Sequence, residues 1–521
     1  MATTVRWEIP VKLSAAEQRV ARVLTRIGKF YVFLREVRHE LFDEEFQAEL
    51  AHAYDPRGSQ PLPAALLATV TLLQAYDKTG DADAVITAQM DKRWQLVLDC
   101  LGAEEAPFSQ GVLPQFRERM IAHDLDKKLL DRTVELAKRS GKFGWQHLRA
   151  ALDSSPLLGA GRVLDTWNLI GRALSTVVTC AAKVTGHSRD AIVAETELTL
   201  CTAPSLKTAL DIDWDDPAQR SDALAQLLAE VERVEAWVAK HAAKEAAEAP
   251  LHEALVALRR VLEQDLEPDP TTGRHRIKRS VAKDRMPSLG DPDMRHGRKS
   301  KNKPFNGYKR HIIKLVGTDL TVAAEALPAN KADLEALPSL TAEVTRHGAL
   351  EELFLDRGYL GSARVAELDA QGVLIRSKPW PSRNRGRFTK EQFDVRLGEQ
   401  LVTCPAGTTV PISPASLIAH FPARTCLRCE LRAQCTPALK GRSVTIHPQE
   451  ALLVKLRRDV KARDGRAVLR QRTTAEHSLA RVGRIQGPRA RYKGTRKNTL
   501  DVRRCATVDN LQTLARLRQA A

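Results

Sequence analysis

No stretch of the 521 residues approaches 18 uncharged apolar positions, so no membrane span is expected. The opening MATTVRWEIPVKL has no apolar h-region, so no secretory signal is expected either. Eight cysteines are few for this length, and four of them (Cys100, Cys180, Cys201 and Cys505) are scattered singly. That pattern excludes a disulfide framework and points to a reducing cytoplasm. Aromatics are only 5% of the chain, and no strand-like run is rich in them, which argues against a zinc-stabilised RNA-binding protein. Acid is scarce relative to base. With 64 Asp and Glu against 81 Lys and Arg, the formal charge is +17 and the pI about 9.6. Such an excess points to a polyanionic partner, most often nucleic acid.

The length allows two to four domains with cores of their own. Residues 1–145 read as helical: Leu66, Leu67, Val70, Leu73 and Gln74 recur at helical spacing. A further short amphipathic helix at 108–120 carries Arg117 and Arg119. Short helices with basic tips suit a helix-turn-helix-like DNA reader or a plain packing domain, and the residues do not choose between them. Residues 166–270 are helical again, with Leu224, Leu227, Leu228, Val231, Val234, Trp237 and Val238 forming a core stripe. The acidic run Asp211, Asp213, Asp215 and Asp216 reads as a helix start rather than a metal cluster. Residues 273–306 are polar and basic and read as a loop that orders on DNA. Two strand-like runs follow at 309–316 and 320–327, joined by Gly317-Thr318-Asp319 as an antiparallel hairpin.

The most informative stretch is 350–377, LEELFLDRGYLGSARVAELDAQGVLIRS. A short apolar run ends on Asp356, Ser362 offers an N-cap to a helix through Leu368, and Val373-Leu374-Ile375 is a second buried strand. Strand, helix and strand at this length make a βαβ unit with parallel strands, completing a mixed five-stranded sheet. Asp356 then stands at a carboxyl strand end, where open α/β sheets carry their chemistry, although a lone Asp equally opens a loop. Earlier, Leu148 to Leu152 form a strand ending on Asp153, with Ser154-Ser155-Pro156 as turn chemistry. Asp165 is a second acid nearby, and periodicity does not choose between them. Late in the chain Leu469, Glu476 and Leu479 share a helix face. A carboxylate there is paired or metal-bound; Arg472, one turn earlier, supplies the plain ion pair.

Residues 380–460 interrupt the pattern with Pro, Gly, Arg and four cysteines. Cys404, Cys426, Cys429 and Cys435 include a CxxC knuckle and together supply the four thiolates of a structural zinc site, or remain reduced and unligated. The basic, helical end at 461–521 contributes Arg481, Arg484, Arg489, Arg491, Lys493, Arg496 and Lys497 as a phosphate-contacting cluster along a DNA path.

These pieces in order closely resemble the DDE transposases of bacterial insertion sequences: LD153SSPLLGAGRVLD165T, N306GYKRH311, D356RGY359 and R472TTAE476H. The run from Asp43 to Leu125 resembles the helical domain preceding the catalytic core in that group, and 404–435 resembles an insertion found in one branch. The resemblance implies an α/β, ribonuclease-H-like mixed-sheet core with a helical N-terminal domain, a helical insertion and a cysteine-bearing insertion. It implies Asp153 (preferred to Asp165), Asp356 and Glu476 as catalytic acids binding Mg²⁺ or Mn²⁺, with Arg472 and Tyr359 supporting. Leu360-Gly361 departs from the polar or aromatic residues that relatives carry there.

Two divalent ions about 4 Å apart, held by hard carboxylate oxygens, suit phosphodiester hydrolysis followed by strand transfer. The implied partners are the element's terminal inverted repeats, target DNA and a second copy of the chain, in a bacterial, nucleoid-associated setting. Two rivals remain at this point: a nuclease of the same fold that does not join strands, and a transposase-derived DNA-binding protein without activity.

Overall fold

In the computed structural model, residues 5–24, 27–54, 61–141, 145–203 and 205–519 are described. The first of these form helices: α1 (Ala15–Val23), α2 (Lys29–Leu41), α3 (Glu44–Ala51), α4 (Ala64–Asp77), α5 (Asp81–Met90), α6 (Lys92–Leu98), α7 (Val112–Ala122) and α8 (Leu125–Arg139). Helix α4 is apolar all round and buried on every side, as its Ala- and Leu-rich sequence requires. Arg117 and Arg119 are not free basic tips. Arg117 is buried in a two-pronged pair with Asp81 (2.6 and 2.9 Å), and Arg119 stacks over the Tyr54 ring.

Strand β1 (His147–Leu158) then leads into a helical insertion: α9 (Thr166–Thr185), α10 (Arg189–Glu195), α11 (Leu206–Leu210), α12 (Pro217–His241) and α13 (Leu251–Asp265), closed by the short pair β2 (Leu266–Pro268) and β3 (His275–Ile277). The predicted stripe on α12 packs with Leu169, Ile170, Leu174 and Val178 of α9 into a core separate from that of the sheet. Asp216 caps α12 and Asp165 caps α9, so neither acid is held for chemistry. The basic segment 273–306 is not a loop awaiting DNA. It contains β4 (Arg295–Ser300), Arg285 pairs with the buried Asp265, and the buried Arg295 pairs with Asp284.

Next come β5 (Lys303–Leu315), β6 (Thr321–Pro328), α14 (Leu337–Thr345), β7 (Ala349–Phe354), α15 (Ala363–Ala370) and β8 (Leu374–Arg376). The sheet runs β4-β5-β1-β7-β8, with β6 also on β5. It has six strands where the sequence led us to expect five, because β4 and β6 share successive halves of the same β5 edge. Strands β5 and β1 are antiparallel, while β1, β7 and β8 are parallel. One face packs on α14, α15 and α18 (Glu450–Lys461) through Leu148, Leu152, Leu353 and Leu355. The other lies under α20 (Thr473–Gln486) and α21 (Thr495–Gln519), which also bind the N-terminal helices into the same core.

The cysteine-bearing segment folds between β8 and α18 as β9 (Asp394–Arg396), β10 (Leu401–Thr403), β11 (Thr409–Pro411), β12 (Ile418–His420), α16 (Ala423–Leu427), α17 (Arg432–Cys435) and β13 (Ser443–Thr445). Its small core is built on Phe393, Val402, Phe421 and Val444. Helix α19 (Gly465–Arg470) precedes α20 as a separate helix, so Leu469 does not share a helix face with Glu476.

Candidate active site

Register places the two aspartates. The last parallel pair between β1 and β7 is Ala151 with Phe354; Asp153 and Asp356 each follow two residues later. Side chains alternate along a strand, so both acids project from the face that carries Ala151 and Phe354. That face is covered by Ala475 of α20, which packs on those two residues. Glu476 is the next residue, in the first turn of the helix, where the helix dipole favours negative charge. Three acids separated by 323 positions in the chain thus meet at one sheet edge.

The strand itself differs from the sequence expectation. β1 does not end on Asp153 but continues to Leu158 along β5, with Asp153 opposite Ile312. Ser154-Ser155-Pro156 is therefore extended rather than a turn. Pro156 is tolerated because β7 has already ended, leaving that side of β1 without a ladder. Gly307 lies across from Leu158, where a Cβ would meet the Leu157 carbonyl oxygen at 2.2 Å. Asp153 ends the strand only relative to its parallel neighbour.

Arg472 links the acids. Its Nη2 pairs with Glu476 Oε1 at 2.6 Å and its Nη1 lies 3.6 Å from Asp153 Oδ1. The i,i+4 ion pair read from the sequence is thus present, and the same side chain reaches Asp153. Burial raises the Asp153 carboxyl to about 6; the charges of Glu476 and Asp356 add to the rise, and the Ser154 N–H and Arg472 oppose it. Asp356 is exposed and accepts from the Arg357 N–H at 2.8 Å.

Hydrogen bonds beneath the acids fix the backbone that carries them. Tyr359 is buried, and its hydroxyl lies 2.9 Å from His311 Nδ1 and hydrogen-bonds Ser154. It therefore ties the residue after one aspartate to the turn after the other. Burial pushes its phenol well up and the His311 ring down to about 4, so His311 is neutral; its Nε2 has no partner among the described residues. On the acid face, Arg149 donates to Glu352 (2.6 Å) and to Gln471 (2.5 Å), while Arg376 donates to the other Glu352 oxygen (2.7 Å). These bonds join β1, β7 and β8 to the chain entering α20. His311 closes the N306GYKRH311 motif, whereas composition carries no signal for Arg149 or Gln471, which only the pairing register reveals.

The donor set suits a hard divalent cation: two of the three carboxylates share one arginine, and Asp153 resists ionisation because it is buried, with the charges of the other two adding to the effect. The side chains are not closed around an ion, since no group of three or more His, Cys, Asp or Glu among the described residues is placed to hold a metal. The same is true of the cysteines. Cys404, Cys426, Cys429 and Cys435 line one cavity of about 740 Å³ and are all free thiols. Burial pushes the Cys435 thiol up, and the three other cysteines add to it. The Arg442 N–H points at Cys426 Sγ (3.5 Å), as backbone donors do in thiolate knuckles.

The basic cluster divides. Arg481 is paired with Asp509 (2.8 Å), Arg496 with Asp126 (2.6 Å) and Lys497 with Glu118 (3.7 Å), so these three hold α20 and α21 in place. Arg489 and Arg491 donate to the carbonyls of Gly159 and Thr79, leaving most of their charge outward. Arg484 and Lys493 are exposed and carry no ion pair among the described residues.

Residues 403–515 match the family model described as the transposase DDE domain, a span that includes Glu476 and begins after both aspartates. No curated protein and no solved structure matches the chain. By this match the C-terminal part of the chain is similar to a transposase DDE domain, which supports a DDE transposase.

Proposed function

We propose that the protein cleaves DNA at the ends of its own element and joins the freed ends to target DNA, using Asp153, Asp356 and Glu476 on a ribonuclease-H-like sheet. The observation that carries this reading is the equal level of the two aspartates on adjacent parallel strands, with Glu476 tied to Asp153 through Arg472. The order β6-β5-β1-β7-β8, three antiparallel strands followed by two parallel ones, supports the fold assignment. Mg²⁺ or Mn²⁺ held by the three carboxylates supplies Lewis-acid activation and charge neutralisation at a scissile phosphate. Arg472 restrains the repulsion among the acids until the site is loaded. Tyr359 and Arg149 hold the strand ends and α20 in register, so closing the acids on an ion calls for side-chain movement rather than movement of the backbone. The four cysteines fit a structural Zn²⁺ by donor type and by their shared cavity. Two ends must be brought together, which calls for at least two copies of the chain.

The test incubates purified protein with Mg²⁺, a labelled duplex carrying the inverted repeats that bracket the reading frame, and a target plasmid. Joined products are expected. Cut but unjoined ends would favour the nuclease reading, and binding without cutting the inactive one.

A further inference from the structure

Beyond Leu158 the chain leaves the sheet and crosses to the helical insertion, and a cleft of about 1130 Å³ opens at that crossing. Its walls come from residues 160–164, one side of α9, the start of α13 and the returning segment 288–292, and Lys493 of the C-terminal part closes it. Four cations line it: Arg162, Arg172, Arg189 and Lys493. Glu253 is the one acid among its lining residues. Arg189 bonds only the Ser175 hydroxyl (3.1 Å), and the side chains of Arg162, Arg172 and Lys493 have no hydrogen bond or ion pair among the described residues. In a chain whose arginines are so often paired, as Arg285, Arg295, Arg496 and Arg503 are, this concentration of unpaired positive charge in a concave site is unusual.

We propose that this cleft binds the phosphodiester backbone of one strand of the DNA on which the acidic edge acts. The proposal rests on the function given above and adds where the DNA runs. No aromatic side chain lines the cleft, so bases have nothing to stack on; cations and the hydroxyls of Thr176 and Thr179 present a surface for phosphate oxygens. Such contacts position DNA without reading its sequence. Gly161, in the cleft wall, is eight residues along the chain from Asp153, no more than roughly 28 Å at full extension. At about 3.4 Å per nucleotide step, the Gly161 end of the cleft lies within about eight steps of the scissile phosphate.

The experiment compares full-length wild type, the double variant Arg162→Ala/Arg172→Ala and the control Lys240→Ala, whose side chain is exposed outside the cleft. Affinity for a 30-base-pair duplex of random sequence is measured over a range of salt concentrations, alongside the melting temperature of each protein. The double variant should melt with wild type and bind at least about tenfold more weakly at low salt. Its slope of log affinity against log salt should be shallower by about 1.8, at about 0.9 per lost phosphate contact. The control should match wild type. A double variant with unchanged affinity and slope overturns the proposal, as does a wild type that prefers single-stranded RNA or polyglutamate to the duplex. Mg²⁺-dependent cleavage by wild type, scored in parallel, separates the two claims: cleavage with an unchanged slope removes the cleft alone, and no cleavage with a shallower slope removes the catalytic reading alone.

Discussion

Two charged regions lie on either side of α20 and solve opposite problems. Along α21 the buried ions are matched within the chain. Arg503 reaches Asp126 (3.1 Å) and Glu343 (2.6 Å), Arg504 pairs with Asp501, and Arg481 with Asp509. At the sheet edge, Asp153 and Glu476 share the single guanidinium of Arg472, and Asp356 beside them has no ion pair among the described residues. Internally matched charge ties the N-terminal helices, sheet and C-terminal helix into one body. Unmatched charge costs stability and is retained where a partner from outside completes it.

The largest effect expected on this view is at Glu476. Glu476→Gln keeps the shape and removes a charge, and should lower metal-dependent cleavage by about 10³-fold or more, about 4 kcal/mol of barrier, while leaving the melting temperature within a degree or two. A large fall in stability would place Glu476 with the matched ions instead.

Arg503→Ala should do the reverse. Asp126 and Glu343 would lose their buried partner, and chemical denaturation should show a loss of about 3–5 kcal/mol. A loss below about 1 kcal/mol would mean that the α21 seam does not hold the body together.

A smaller effect with a distinctive sign is expected at Asp153. Its folded-state carboxyl titrates near 6, above the ordinary value of 3.8, so the folded state favours the protonated form. Stability from this group is full below about pH 4 and is lost as pH rises through 6. Asp153→Asn should therefore stabilise the metal-free protein at pH 7–8 by up to about 2–3 kcal/mol and flatten the pH 4–6 dependence, while abolishing cleavage. A destabilised variant with the original pH profile would contradict this.

Much of the architecture was legible because local pattern and tertiary demand agree. The apolar runs at 350–377 became β7, α15 and β8, and the α12 stripe became the insertion core. What was hidden depended on pairings distant in sequence. Ser-Ser-Pro after Asp153 has turn chemistry, yet β5, some 150 residues later, holds it extended. The basic segment 273–306 reads as solvated until Asp265 and Asp284 are placed beside Arg285 and Arg295. The acids were legible as residue types at strand ends and on a helix. Their meeting, and the Tyr359–His311–Ser154 tie beneath them, required the register.

The central claim is that the acids at the sheet edge bind divalent cations, which thermal unfolding in a Mg²⁺ or Mn²⁺ series tests without relying on activity. Binding to the folded state should raise the wild-type midpoint progressively, by about 2.7 kcal/mol of stability at one hundred times the dissociation constant. Asp356→Asn should respond little or not at all. Equal responses in the two proteins, or none in either, would contradict the account.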